Sequence, residues 1–113
     1  MFFFFNNALL SDELLCTKNL IAASNIKNFA INASNSKSLS DCKYYVLNYK
    51  RLFAYSFNEI NLCTCITEEN FKIRSIMAKA EKSENLGLCK YYTSQFLSNL
   101  NSIVNKITIC KKN

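Results

Sequence analysis

From Tyr92 onward the apolar residues Tyr92, Phe96, Leu100, Ile103 and Ile107 step by four, four, three and four, and Leu97 and Val104 widen the stripe. That period lays one apolar face along a long helix. Forty-seven positions earlier the same face reads Tyr45, Tyr49, Phe53, Ser56 and Ile60. A shorter stripe precedes each of these, Ile26, Phe29, Ala30 and Ala33 before the first and Ile73, Ile76, Met77 and Ala80 before the second. The polar stretches Asn35-Ser36-Lys37-Ser38 and Ser83-Glu84-Asn85 separate the two stripes of each pair, and Ser40 or Asp41 is placed to cap the helix that follows the first. With no proline and a single glycine, Gly87, the chain lacks the residues that β-hairpin turns and phosphate-cradling loops require. The pattern predicts an all-α fold of four helices in two helical hairpins.

The offset of 47 is not confined to the stripes. It lays Cys16-Thr17 on Cys63-Thr64, Cys42-Lys43-Tyr44-Tyr45 on Cys89-Lys90-Tyr91-Tyr92, and Cys63 on Cys110, and thirteen of the forty-eight positions from 16 to 63 agree. We read this as an internal duplication of one helical unit. It divides the chain into an apolar N-terminal segment 1–14, a hairpin repeat over 15–63 and a second over 63–113, the two repeats together forming one compact domain.

A chain of 113 residues buries a small core and gains from covalent staples. Six cysteines, even in number and spread along the chain, predict a disulfide framework formed in an oxidising compartment. There is no histidine, and Cys63-Thr64-Cys65 is the one close cysteine pair, so no metal site is expected. If 43–62 is one helix, Cys42 and Cys63 lie about 30 Å apart, far beyond the ~7 Å between Cα atoms that a bridge tolerates. In an antiparallel hairpin Cys16 instead meets Cys63 or Cys65, the other of those two meets Cys110, and Cys42 is left to join Cys89 at the hairpin tips.

Phe2 to Phe5, followed by Ala8-Leu9-Leu10, reads as a shortened signal-peptide core or, if retained, as an apolar strap on the bundle. No stretch reaches the ~20 apolar residues of a transmembrane helix. Asn32-Ala33-Ser34 makes Asn32 a glycosylation candidate. These features point to a secreted, extracellular protein.

The Cys63-Thr64-Cys65 junction, with Cys16-Thr17-Lys18 in the equivalent place of the first repeat, resembles the paired Cys-x-Cys motifs of the bicycle family. Those proteins are salivary effectors of aphids, named for two Cys-Tyr-Cys motifs; here threonine replaces tyrosine and Lys18 replaces one cysteine. The resemblance covers the two motifs and their spacing. It implies delivery into a host and action on a host component, and it brings no catalytic residues.

Chemistry is sparse elsewhere. Without histidine the commonest general base is missing, and no Ser-His-Asp or Cys-His arrangement can be assembled. Glu68-Glu69 are adjacent, point to different parts of a helix surface, and suit the start of the third helix, where they complement its dipole. No enzyme and no cofactor are expected. The net charge of +6 comes from fourteen basic and eight acidic residues. Lys50-Arg51, Lys72-Ile73-Arg74, Lys79, Lys82 and Lys111-Lys112 are scattered over at least three elements, which makes nucleic acid an unlikely partner. The stretch carrying Tyr44, Tyr45, Tyr49, Phe53, Tyr55 and Phe57 has more rings than one buried stripe can hold. At the positions matching Lys50, Arg51, Tyr55 and Phe57 the second repeat has Leu97, Ser98, Ser102 and Val104, so the copies differ on their outer faces. Tyr44, Lys50, Arg51, Tyr55 and Phe57 are therefore the candidates for contact with a partner. The expected function is that of an effector or toxin-like protein that binds a target protein, a host protein being one candidate. Two alternatives are a carrier holding a small hydrophobic ligand between the hairpins, lined by Phe53, Phe96, Leu100 and Met77, and a membrane-active helical protein.

Overall fold

Apolar residues alternating at three and four positions produce a seam that two helices can share along their length. All four helices of this chain carry such a seam. The computed structural model describes the backbone of residues 2–58, 60 and 62–112, and the side chains of 12–58, 60 and 62–110. Helix α1 (Phe2–Ser34) buries Cys16, Asn19, Ala23, Ile26, Ala30 and Ala33; α2 (Leu39–Ser56) buries Cys42, Val46, Tyr49 and Phe53. Helix α3 (Thr67–Glu81) buries Asn70, Ile73, Ile76, Met77 and Ala80, and α4 (Leu86–Lys112) buries Cys89, Thr93, Phe96, Leu100, Ile103 and Ile107. No strand occurs among the described residues. The molecule is an all-α bundle of two helical hairpins, α1 with α2 and α3 with α4, joined mainly by packing of α1 on α4.

The two turns are built alike. Ser36 Oγ donates to the Asn32 carbonyl and Ser83 Oγ to the Lys79 carbonyl, both at 3.0 Å. The next helix is then capped by a side-chain oxygen, Ser38 Oγ accepting from Asp41 N–H at 3.1 Å and Asn85 Oδ1 from Leu88 N–H at 2.9 Å. Ser38 is the cap of α2, not Ser40 or Asp41; Asp41 sits in the first turn, where its charge complements the helix dipole.

Three disulfides staple the helices: Cys16–Cys63, Cys42–Cys89 and Cys65–Cys110. They settle the choice at the junction. Asn19, fully buried and one turn after Cys16, accepts the Cys63 N–H at 2.8 Å and donates to the Ser56 carbonyl at 2.9 Å, which holds Cys63 against α1. Cys65 follows in a single 3₁₀ turn, Thr64–Ile66, and faces α4.

Two expectations are corrected. The first helix is longer than its partner, 33 residues against 18, and runs without a break past residue 14. Helix α2 stops at Ser56, so Ile60 does not continue its buried face but stands 84 % exposed, and Phe57 turns inward in its place. The side chains of the Phe2–Phe5 run and of Lys111-Lys112 lie outside the described residues.

At the centre, Tyr49 stacks on Phe96 with ring centroids 4.3 Å apart, and Phe53 stacks on Phe57 at 4.4 Å while meeting Phe96 edge-on. Tyr49 Oη pairs with Thr93 Oγ1 at 3.1 Å, so these two buried hydroxyls between α2 and α4 satisfy each other.

Two outcomes are expected. Replacing Cys42 and Cys89 together by serine frees a long loop in the unfolded chain and lowers stability by about 3–4 kcal/mol, read as a shift in the urea midpoint. Burial pushes the Tyr49 hydroxyl up to about 12 from 10.0, against a smaller opposing effect of its bond to Thr93. The unfolded tyrosine therefore loses its proton first, and Tyr49 causes stability to fall as pH rises from 10.0 towards about 12, at up to about 1.4 kcal/mol per pH unit. Urea unfolding of Tyr49→Phe over the same range should lack that component.

Candidate functional site

Positions 44, 51 and 55 are spaced by seven and four, so they fall on one line along α2. Tyr44 is 62 % and Tyr55 77 % exposed, and Arg51 is exposed between them. These three proposed contact residues do share a surface. Lys50 points elsewhere, toward α3, where its Nζ meets Glu81 Oε2 at 2.6 Å; both side chains are well hydrated, so the pair adds little to stability. Phe57 is not on the surface at all. It lies four residues beyond Phe53, on the same seam, and its fully buried ring is stacked on Phe53.

Helix α2 packs far less extensively on α3 than on α1. A half-open groove of about 380 Å³ lies there, lined by Ala54 and Asn58 from α2 and the loop after it, Leu62, and Phe71 and Arg74 from α3. Phe71 is 78 % exposed at its edge. The Arg74 guanidinium donates to the Phe57 carbonyl at 3.1 Å, and the side chain, exposed overall, carries further N–H donors. Asn58 Nδ2 donates to the Tyr55 carbonyl at 3.1 Å and closes the end of α2. Exposed Phe71 and Arg74 thus share the wall of this groove, while Tyr55 is exposed on α2 and Ile60 in the segment that follows it. Sequence reasoning singled out neither Phe71 nor Arg74 as a contact residue. Phe71 was legible as an aromatic one position off the buried stripe of α3, and Arg74 as a charge one position past Ile73; Ile60 had been placed on the core face.

The remaining candidates are placed as follows. Asn32 is exposed in the last full turn of α1, with Ala33 buried beside it. Phe53, Phe96, Leu100 and Met77, the proposed walls of a ligand cavity, are each at most 3 % exposed and belong to one packed core, with the rings of Phe53 and Phe96 in direct contact. Glu68 and Glu69 occupy the first turn of α3. The hydrogen bond from Lys106 at 2.7 Å holds the Glu69 carboxyl below the usual range, against a smaller opposing effect of desolvation. Among the described residues, no helix is long and apolar enough to cross a membrane.

At the junction, the sulfurs of Cys16, Cys63 and Cys110 lie within 4.8 Å of one another, and Cys65 Sγ is 3.6 Å from Cys63 Sγ. All six proposed disulfide cysteines are bonded. Comparison with protein families, curated proteins and solved structures finds no match to this chain.

The two classes of aromatic separate by mutation. Tyr55→Ala and Phe71→Ala should each change stability by about 0.5 kcal/mol or less, whereas Phe57→Ala should cost about 3–5 kcal/mol, all read from urea unfolding curves.

Proposed function

We propose that this chain is a secreted, non-enzymatic effector or toxin-like protein whose target is another protein, engaged on the open α2–α3 side. The observation that carries this reading is the exposed ring of Phe71 beside Arg74 at a groove, with Tyr55 exposed on the neighbouring helix α2. Aromatic rings and arginine are the residues that most often anchor protein interfaces. Covering a ring such as Phe71 removes apolar area worth about 1.5–3 kcal/mol. A frame tied by three bridges holds the helices that carry these side chains, so little backbone ordering opposes association. The bridges also favour an oxidising compartment, which supports secretion. The same reading takes the hairpins as copies of one duplicated unit, supported by the matching turns and caps 47 residues apart, with the first copy and α3 supplying the contact surface.

The test is site-specific photo-crosslinking of the disulfide-bonded protein in the extracellular fluid or tissue from which it comes. A photoreactive residue at position 71 should yield a discrete protein adduct, lost when Tyr55 and Arg74 are both changed to alanine. The same residue at position 28, exposed on α1, should yield none. Equal labelling at the two positions, or no adduct at 71, overturns the assignment.

A further inference from the structure

Four sulfurs gather at the junction of the hairpins, an arrangement the binding surface does not use. Cys16 arrives from α1, Cys110 from α4, and Cys63 and Cys65 flank Thr64 between the hairpins. In a zinc tetrathiolate the Zn–S bonds of about 2.3 Å set neighbouring sulfurs about 3.8 Å apart. The non-bonded Cys63–Cys65 sulfur separation is already 3.6 Å, and the sulfurs of Cys16, Cys63 and Cys110 lie within 4.8 Å of one another. We propose that, when the two junction disulfides are reduced, Cys16, Cys63, Cys65 and Cys110 bind one zinc ion as a tetrathiolate.

The chemistry balances with a thiol reductant as co-reactant. Four reductant thiols give four electrons and four protons to the two disulfides and leave as two disulfides of their own. The four cysteine thiols then release four protons as four Zn–S bonds form. Little backbone movement is needed, since the bridged Cα atoms are 4.6 and 6.6 Å apart and Asn19 holds the Cys63 backbone independently of any sulfur bond. An all-sulfur set selects a soft or borderline cation over magnesium or calcium. A half-open pocket of about 270 Å³ reaches the cluster, and Asp12 and Glu13 on its wall draw cations toward it. Cys42 and Cys89 form an isolated pair toward the turns and serve as an internal control.

The experiment reduces the full chain anaerobically with a phosphine and titrates it with cobalt(II), then with zinc. One cobalt per chain should bind with the visible bands of a tetrahedral thiolate complex, and zinc should displace it. Alkylation followed by peptide mass mapping should show metal-dependent protection of Cys16, Cys63, Cys65 and Cys110 and none at Cys42 or Cys89. Cys42→Ser/Cys89→Ser should keep the bands and Cys63→Ser/Cys110→Ser should lose them. Absence of the bands, a stoichiometry other than one, protection extending to Cys42 or Cys89, or a reduced chain that unfolds without taking up metal overturns the proposal.

Discussion

Because an α-helix rises about 1.5 Å per residue, cysteines at opposite ends of one helix are too far apart to bond, and each must find its partner on another element. That constraint orders this molecule. Cys42, at the start of α2, reaches Cys89 at the start of α4, while Cys16 and Cys110 both converge on the segment between α2 and α3. Each helix end that carries a thiol is thereby fixed in height against a neighbour. The seams of apolar residues supply attraction between helices, but alternating three-four spacing repeats along a helix and tolerates sliding by a turn. The bridges remove that freedom.

Polar groups in the interior reinforce the same register. Asn19 joins the Ser56 carbonyl, at the end of α2, to the Cys63 N–H, so one amide satisfies a helix-end acceptor and a loop donor. Tyr49 and Thr93 bond across α2 and α4 in the layer next to the aromatic stack. A slide of either helix would leave these groups buried without partners, at a cost of about 1–3 kcal/mol each. Covalent and hydrogen-bonded devices therefore specify the same alignment.

How far the sequence discloses this depends on what each feature rests upon. The stripes of α3 and α4 and the tip-to-tip bridge were legible because period and helix rise are local quantities. The pairing at Cys63 and Cys65 was not, since it depends on Asn19, a polar residue on the buried seam of a helix whose apolar stripe was read only from Ile26 onward. The end of α2 was hidden for a similar reason: nothing in Ser56-Phe57-Asn58 breaks a helix strongly, and the burial of Phe57 against Phe53 decides which way the chain bends. That bend moved Phe57 out of the candidate site and brought Ile60 out of the core. The exposure of Tyr44 and Tyr55 was legible because a stripe can bury only so many rings, but the groove beside Phe71 and Arg74 arises only where α2 and α3 come together.

The spacing of the bridges also bears on how the chain matures as it is synthesised. Cys16 and Cys63, 47 residues apart, both precede the second hairpin. The other two bridges draw on Cys89 and Cys110, which emerge later. A chain synthesised from its N-terminus can thus lock α1 against the junction while Cys42 and Cys65 are still waiting for α4. During that interval Cys42 and Cys65 are the exposed risks for mispairing, and the Asn19 contacts to Ser56 and Cys63, all ahead of the second hairpin, favour the native choice before the second half of the molecule exists.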